Sequence, residues 1–121
     1  MKRPMTRSKF YLRQGILVGF ELTGHTGAGR SGSDIVCAAV SSAALMTVNT
    51  ITEIIGIPAE ITERDGYLRV KLSVGGAKRC QELLRGLRLH LTELEKQYPN
   101  NIKVINGGVI YAENKHSAVR S

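Results

Sequence analysis

Along residues 16–23 apolar side chains fall on every second position, with Ile16, Val18, Phe20 and Leu22 interleaved with Leu17, Gly19, Glu21 and Thr23. A period of two belongs to a strand with one buried face. The pattern predicts a strand over Ile16 to Thr23, turned at Gln14-Gly15 from an earlier strand somewhere in Thr6 to Arg13. From Asp34 to about Ile55 the apolar positions are too dense for a strand, and the alanine-rich run predicts a long, mostly buried helix. Ser33 or Asp34 supplies its N-cap, and Gly56 then Pro58 stop it. Ala59 to Glu63 and Tyr67 to Ser73 read as strands joined by Arg64-Asp65-Gly66, a strong hairpin signal. After Gly75-Gly76, the residues Leu83, Leu84, Leu87, Leu91 and Leu94 recur at helical spacing and predict a second helix from about Ala77 to Tyr98. Pro99-Asn100-Asn101 ends it, and Ile102 to Ile105 forms a last strand before Gly107-Gly108.

The predicted order is ββαββαβ. Each helix needs an apolar partner and consecutive strands run antiparallel, so the expected fold is an α+β two-layer sandwich. Its sheet is mixed and mostly antiparallel, with two helices on one face. The other face is where a second copy would pack.

Composition narrows the class. A chain of 121 residues and 13.2 kDa, 42% apolar and 22% charged, fits one domain with a real core. No 20-residue apolar stretch stands out, so a membrane span is not expected. The basic start from Met1 to Lys9 lacks the apolar core of a signal peptide, which points to the cytoplasm. Cys37 and Cys80 read as free thiols.

Dividing the net charge of +7 changes what it implies. Residues 1–13 hold Lys2, Arg3, Arg7, Lys9 and Arg13, whereas residues 14–112 are nearly balanced. The expected organisation is a basic N-terminal arm over 1–9, a single domain over 10–112 and a polar tail over 113–121. Such an arm offers a weak, salt-dependent contact to RNA or a ribosome.

The chemistry concentrates in Gly24-His25-Thr26-Gly27-Ala28-Gly29-Arg30-Ser31-Gly32-Ser33-Asp34-Ile35-Val36-Cys37, between a strand end and a helix start. Gly27 to Gly32 matches G-x-G-x-x-G, but a dinucleotide site needs a parallel βαβ unit, and the Asp65-Gly66 hairpin denies it. The same glycines have P-loop spacing, yet Ser33-Asp34 stands where a lysine and a hydroxyl are required. A glycine loop of this kind rearranges easily and suits a lid over an extended ligand.

With Asp34 as N-cap, Cys37 is the third helical residue, where unpaired N–H groups and the macrodipole favour a thiolate. His25 is free to face it across the loop as a base. Asp34 has two open roles, capping the helix or orienting the imidazole. Ser41, one turn past Cys37, lies within reach of the site. No metal ligand spacing is present, since His90 and His116 stand apart from the Cys37 and His25 pair, and no cofactor is expected. Cys80, near Lys78 and Arg79 with no histidine close in sequence, reads as structural.

The run Thr23-Gly24-His25, the glycine-rich loop and Gly32-Ser33-Asp34-Ile35-Val36-Cys37-Ala38-Ala39-Val40-Ser41 resemble the bacterial ribosomal-processing cysteine protease family (Prp). The Asp65-Gly66 hairpin and Gln97-Tyr98-Pro99 agree. The resemblance covers roughly residues 10–110. It implies an endopeptidase that removes a short N-terminal extension, at a site with aromatic residues, from the precursor of a large-subunit ribosomal protein, protein twenty-seven. It also implies Cys37 as nucleophile, His25 as base and then acid, Asp34 in support, the loop glycines Gly24, Gly27, Gly29 and Gly32 as a lid, and a homodimer. The rival reading is a non-catalytic ribosome- or RNA-associated module with the basic arm as its contact.

Overall fold

The computed structural model describes residues 5–24 and 31–108. In chain order these are β1 (Thr6–Arg13), β2 (Ile16–Thr23), α1 (Ser31–Asn49) continued by a π-helical segment (Thr50–Ile55), β3 (Glu60–Arg64), β4 (Tyr67–Lys71), α2 (Val74–Lys78), α3 (Gln81–Gln97) and β5 (Ile102–Gly108). One sheet holds all five strands in the order β3-β4-β2-β1-β5. β5 runs parallel to β1, and the other pairs are antiparallel. This is the expected α+β arrangement, with α1 and α3 packed together over the sheet.

The first hairpin turns on Gln14 and Gly15, both at positive φ (54° and 77°), as a two-residue turn matching strand twist requires. Strict alternation in β2 then fails. Tyr11 pairs with Gly19 but Leu12 with Leu17, so Val18 is an extra residue, and Leu17 and Val18 are both buried. The Gln81 side chain bonds the backbone freed by this bulge: Leu17 N–H donates to Oε1 (3.0 Å) and Nε2 donates to the Leu17 carbonyl (2.7 Å).

Phe10 and Phe20, 6.0 Å apart between ring centroids, centre the core. Val36, Val40, Ala44 and Ile51 close on them from α1 and its extension, and Leu84, Leu87 and Leu91 from α3. Each large side chain so buried is worth about 1.5–3 kcal/mol, which fixes how the helices sit.

Several boundaries differ from the sequence reading. α1 begins at Ser31, so Ser33 and Asp34 lie inside its first turn, where such residues are as acceptable as at the cap. Nor is this helix mostly buried, because Ile35, Leu45, Met46 and Ile54 are all more than half exposed. The run Ile35–Ile55 is long and apolar enough to cross a membrane by length and composition, which the reading of composition overlooked. Here its inward stripe lies on the sheet. Gly56, at φ 79°, ends the helical run as expected.

The predicted second helix is two. Ser73 leaves β4 to cap α2, accepting the Gly76 N–H at 3.0 Å, so the paired glycines sit inside α2. The chain then breaks at Arg79-Cys80 before α3. β1 takes Thr6 to Lys9 out of the basic arm and into the sheet.

Candidate active site

The C-terminal end of β2 lies beside the start of β1, because the two are antiparallel partners with Arg7 opposite Thr23. Gly24 follows β2 directly. Its φ of 82° suits glycine, and a Cβ there would come within 2.5 Å of the Met5 carbonyl oxygen. Gly24 N–H donates to the Gly66 carbonyl (2.9 Å), tying this end to the β3-β4 turn.

Cys37 reaches this junction from α1. Its sulfur is 3.7 Å from Thr6 Oγ1 and 4.0 Å from the Gly24 carbonyl oxygen. Cys37 and Cys80 are both buried, at 7% and 1% exposed, but only Cys80 packs within the main apolar cluster. The two cysteines thus occupy different settings. Cys80 precedes α3 with its thiol pushed up by burial, an effect that Arg79 opposes less strongly.

With α1 starting at Ser31, Cys37 is the seventh helical residue, not the third. It is past the unpaired first-turn N–H groups, and the macrodipole is strongest at that first turn. The helix-start argument for a thiolate therefore loses its main support. Asp34 is the fourth helical residue, which removes it as N-cap, and Gly32 belongs to α1 instead of the loop. Ser41 is half-buried one turn beyond Cys37. His25, Gly27 and Gly29 lie outside the described residues, as do residues 1–4 of the arm, His116 and the tail; His90 is exposed on α3.

Thr6 is the residue that the sequence reading missed. It is 3% exposed and stands in phase with Ser8 and Phe10 on the inward side of β1. Two buried hydroxyl residues in an inward phase were the available signal, since such positions are ordinarily apolar.

A buried free thiol seated between a hydroxyl and a backbone carbonyl where strand meets helix, on an α+β fold, is a candidate site for thiol chemistry. A model of the family described as "Cysteine protease Prp" matches residues 5–103. The ribosomal processing cysteine protease Prp of Bacillus subtilis (strain 168) is 31% identical over 94 residues, spanning 73% of this chain and 84% of its own. The solved structure of SMU.848 from Streptococcus mutans is 32% identical with a TM-score of 0.74, covering 86% of this chain and 95% of that one. The fold is also that of an essential ribosomal processing protease Prp from S. aureus, solved in complex with a substrate peptide. That structure is 23% identical with a TM-score of 0.77, covering 84% of this chain and 99% of that one. The chain belongs to the Prp family of ribosomal-processing cysteine proteases. Membership decides for an enzyme over the non-catalytic module.

Proposed function

We propose that this protein removes the short N-terminal extension of a large-subunit ribosomal protein precursor, protein twenty-seven by family resemblance, with Cys37 as nucleophile. The carrying observation is the Cys37 sulfur 4.0 Å from the carbonyl of Gly24, the residue immediately before His25. In this mechanism the Cys37 thiolate attacks the scissile carbonyl carbon, and backbone N–H groups stabilise the oxyanion. The C–N bond breaks as His25 protonates the leaving amine. Water, deprotonated by His25, then hydrolyses the thioester and releases Cys37. Asp34, displaced from the cap position, takes the other of its two roles and orients the imidazole. Gly24, Gly27 and Gly29 let the peptide backbone approach, with Gly32 in the first turn of α1 and Ser41 lining the floor.

The reading includes a cytoplasmic site of action and a homodimer. For the dimer, the support is a stripe on one side of α1, where Ile35, Leu45 and Met46 are exposed at helical spacing. Sedimentation of wild type and Leu45→Glu checks it; a wild-type monomer removes the dimer.

Cleavage of the precursor's N-terminal peptide is measured with wild type, Cys37→Ala, His25→Ala and Cys80→Ala. Only Cys80→Ala is expected to retain turnover. Unchanged turnover in Cys37→Ala overturns the mechanism.

A further inference from the structure

β1 carries part of the basic N-terminal run into the sheet and sorts it onto one face. Side chains alternate across a strand, so with Ser8 and Phe10 turned toward the helices, Arg7 and Lys9 project from the opposite face, which no helix among the described residues covers. The register sets Arg7 beside Lys103 of β5 and Lys9 beside Glu21, which pairs in turn with Arg69. Toward β3 the cations are already engaged: Lys71 meets Glu60 at 3.7 Å, and Arg64 lies 4.4 Å over the Tyr67 ring. The β1 and β5 half differs. Neither strand contains an acidic residue, and Arg7 and Lys103 are exposed neighbours there.

We infer that the β1-β5 half of the uncovered sheet face docks the phosphate backbone of RNA, through Arg7, Lys9 and Lys103. The cations stand on backbone positions about 4.8 Å apart across strands and about 6.8 Å apart along one, an array that suits a repeating polyanion better than a single anion. Self-association through this face sets like charges together, so a second copy is disfavoured here, against the expectation drawn from sequence. No large apolar side chain is exposed on β1 or β5, so the face lacks the anchors of a membrane-binding surface. The ribosomal setting comes from the family, but the binding itself rests on the sheet and needs no active site.

The test is anisotropy of a labelled single-stranded RNA titrated with the full chain between about 50 and 200 mM salt. Wild type is expected to bind with an affinity that falls with salt at a log-log slope of about −2, roughly 0.7 per phosphate contact. Arg7→Glu with Lys103→Glu should weaken binding at least about tenfold and flatten the slope by about 1.4. Arg7→Gln with Lys103→Gln should move the same way by less. Lys78→Glu with Arg85→Glu, an equal charge change on the helical side, should leave affinity within about twofold. Equal loss in both Glu pairs overturns the proposal, as does binding abolished only by removing residues 1–4. Loss of binding to phosphatidylserine vesicles with RNA binding intact overturns it in favour of a membrane. Peptide cleavage should be unchanged in all these variants, and RNA binding unchanged in Cys37→Ala, so failure of the proposed mechanism and failure of this inference are separable.

Discussion

Thr6 Oγ1 lies 3.7 Å from Cys37 Sγ, which sets the first residue of β1 against the seventh of α1. A hydroxyl there can donate to the sulfur when it carries charge, and hydrogen bonds to charged groups are worth about 1.5–3 kcal/mol. Thr6→Val keeps the shape and removes the donor. We predict a fall in kcat/KM of about tenfold to a hundredfold, a slower iodoacetamide reaction at neutral pH, and little change in melting temperature. Thr6→Ser should recover most of the activity, and an unchanged kcat/KM in Thr6→Val would reduce Thr6 to a packing residue.

Gly24 holds β2's end in a conformation that only glycine adopts cheaply, with the Met5 carbonyl oxygen where a Cβ would go. Gly24→Ala must move one or the other. The expected cost is about 1–3 kcal/mol, read as a drop of several degrees in melting temperature. Activity should fall further than stability does, because the displaced segment carries the Gly24 carbonyl away from the Cys37 sulfur. Proportional losses of activity and folded fraction would show that Gly24 serves the fold alone.

Local signals carried most of the architecture. Gln14-Gly15 and Asp65-Gly66 placed both hairpins, Gly56 ended the long helical run, and the leucine stripe located α3. What stayed hidden depends on long-range register. Nothing near Val18 marks it as a bulge, since the bonds that absorb it come from Gln81, 64 positions from Leu17. Ser33 and Asp34 are equally at home as a cap or in a first turn, so the helix start was misplaced and Cys37 with it. Thr6 could not be tied to Cys37 before the sheet brought them together, whereas the approach of the β2 end to α1, with Gly24 against Cys37, was legible because one short segment joins that strand to that helix.

The two thiols should be distinguishable by reagent. Cys80 is 1% exposed, within the apolar cluster and pushed up by burial. We predict that limiting iodoacetamide labels Cys37 alone in the folded protein, with one equivalent incorporated, and that urea exposes the second. Cys80→Ala should cost about 1–2 kcal/mol, the scale of a small cavity, while cleavage persists. Labelling of Cys80 first would reverse the assignment of the two cysteines.

Alkali should destabilise this protein, and the sign follows from two groups. Burial and then the hydrogen bond to Glu21 hold the Tyr11 phenol well above its ordinary value of 10.0, and burial raises Cys80 above 9.0. Both groups bind their proton more tightly folded than unfolded. Their contribution is therefore complete below the unfolded values and is lost as pH rises toward the folded ones. The urea midpoint should hold level to about pH 8 and decline from about pH 9 through 11. Cys80→Ala should remove the onset of that decline and Tyr11→Phe its later part. In Tyr11→Phe, Glu21 still has Lys9 and Arg69 as cross-strand neighbours, so the cost at neutral pH should stay near 1 kcal/mol. A double variant whose midpoint fell as steeply as wild type would place the alkaline sensitivity elsewhere.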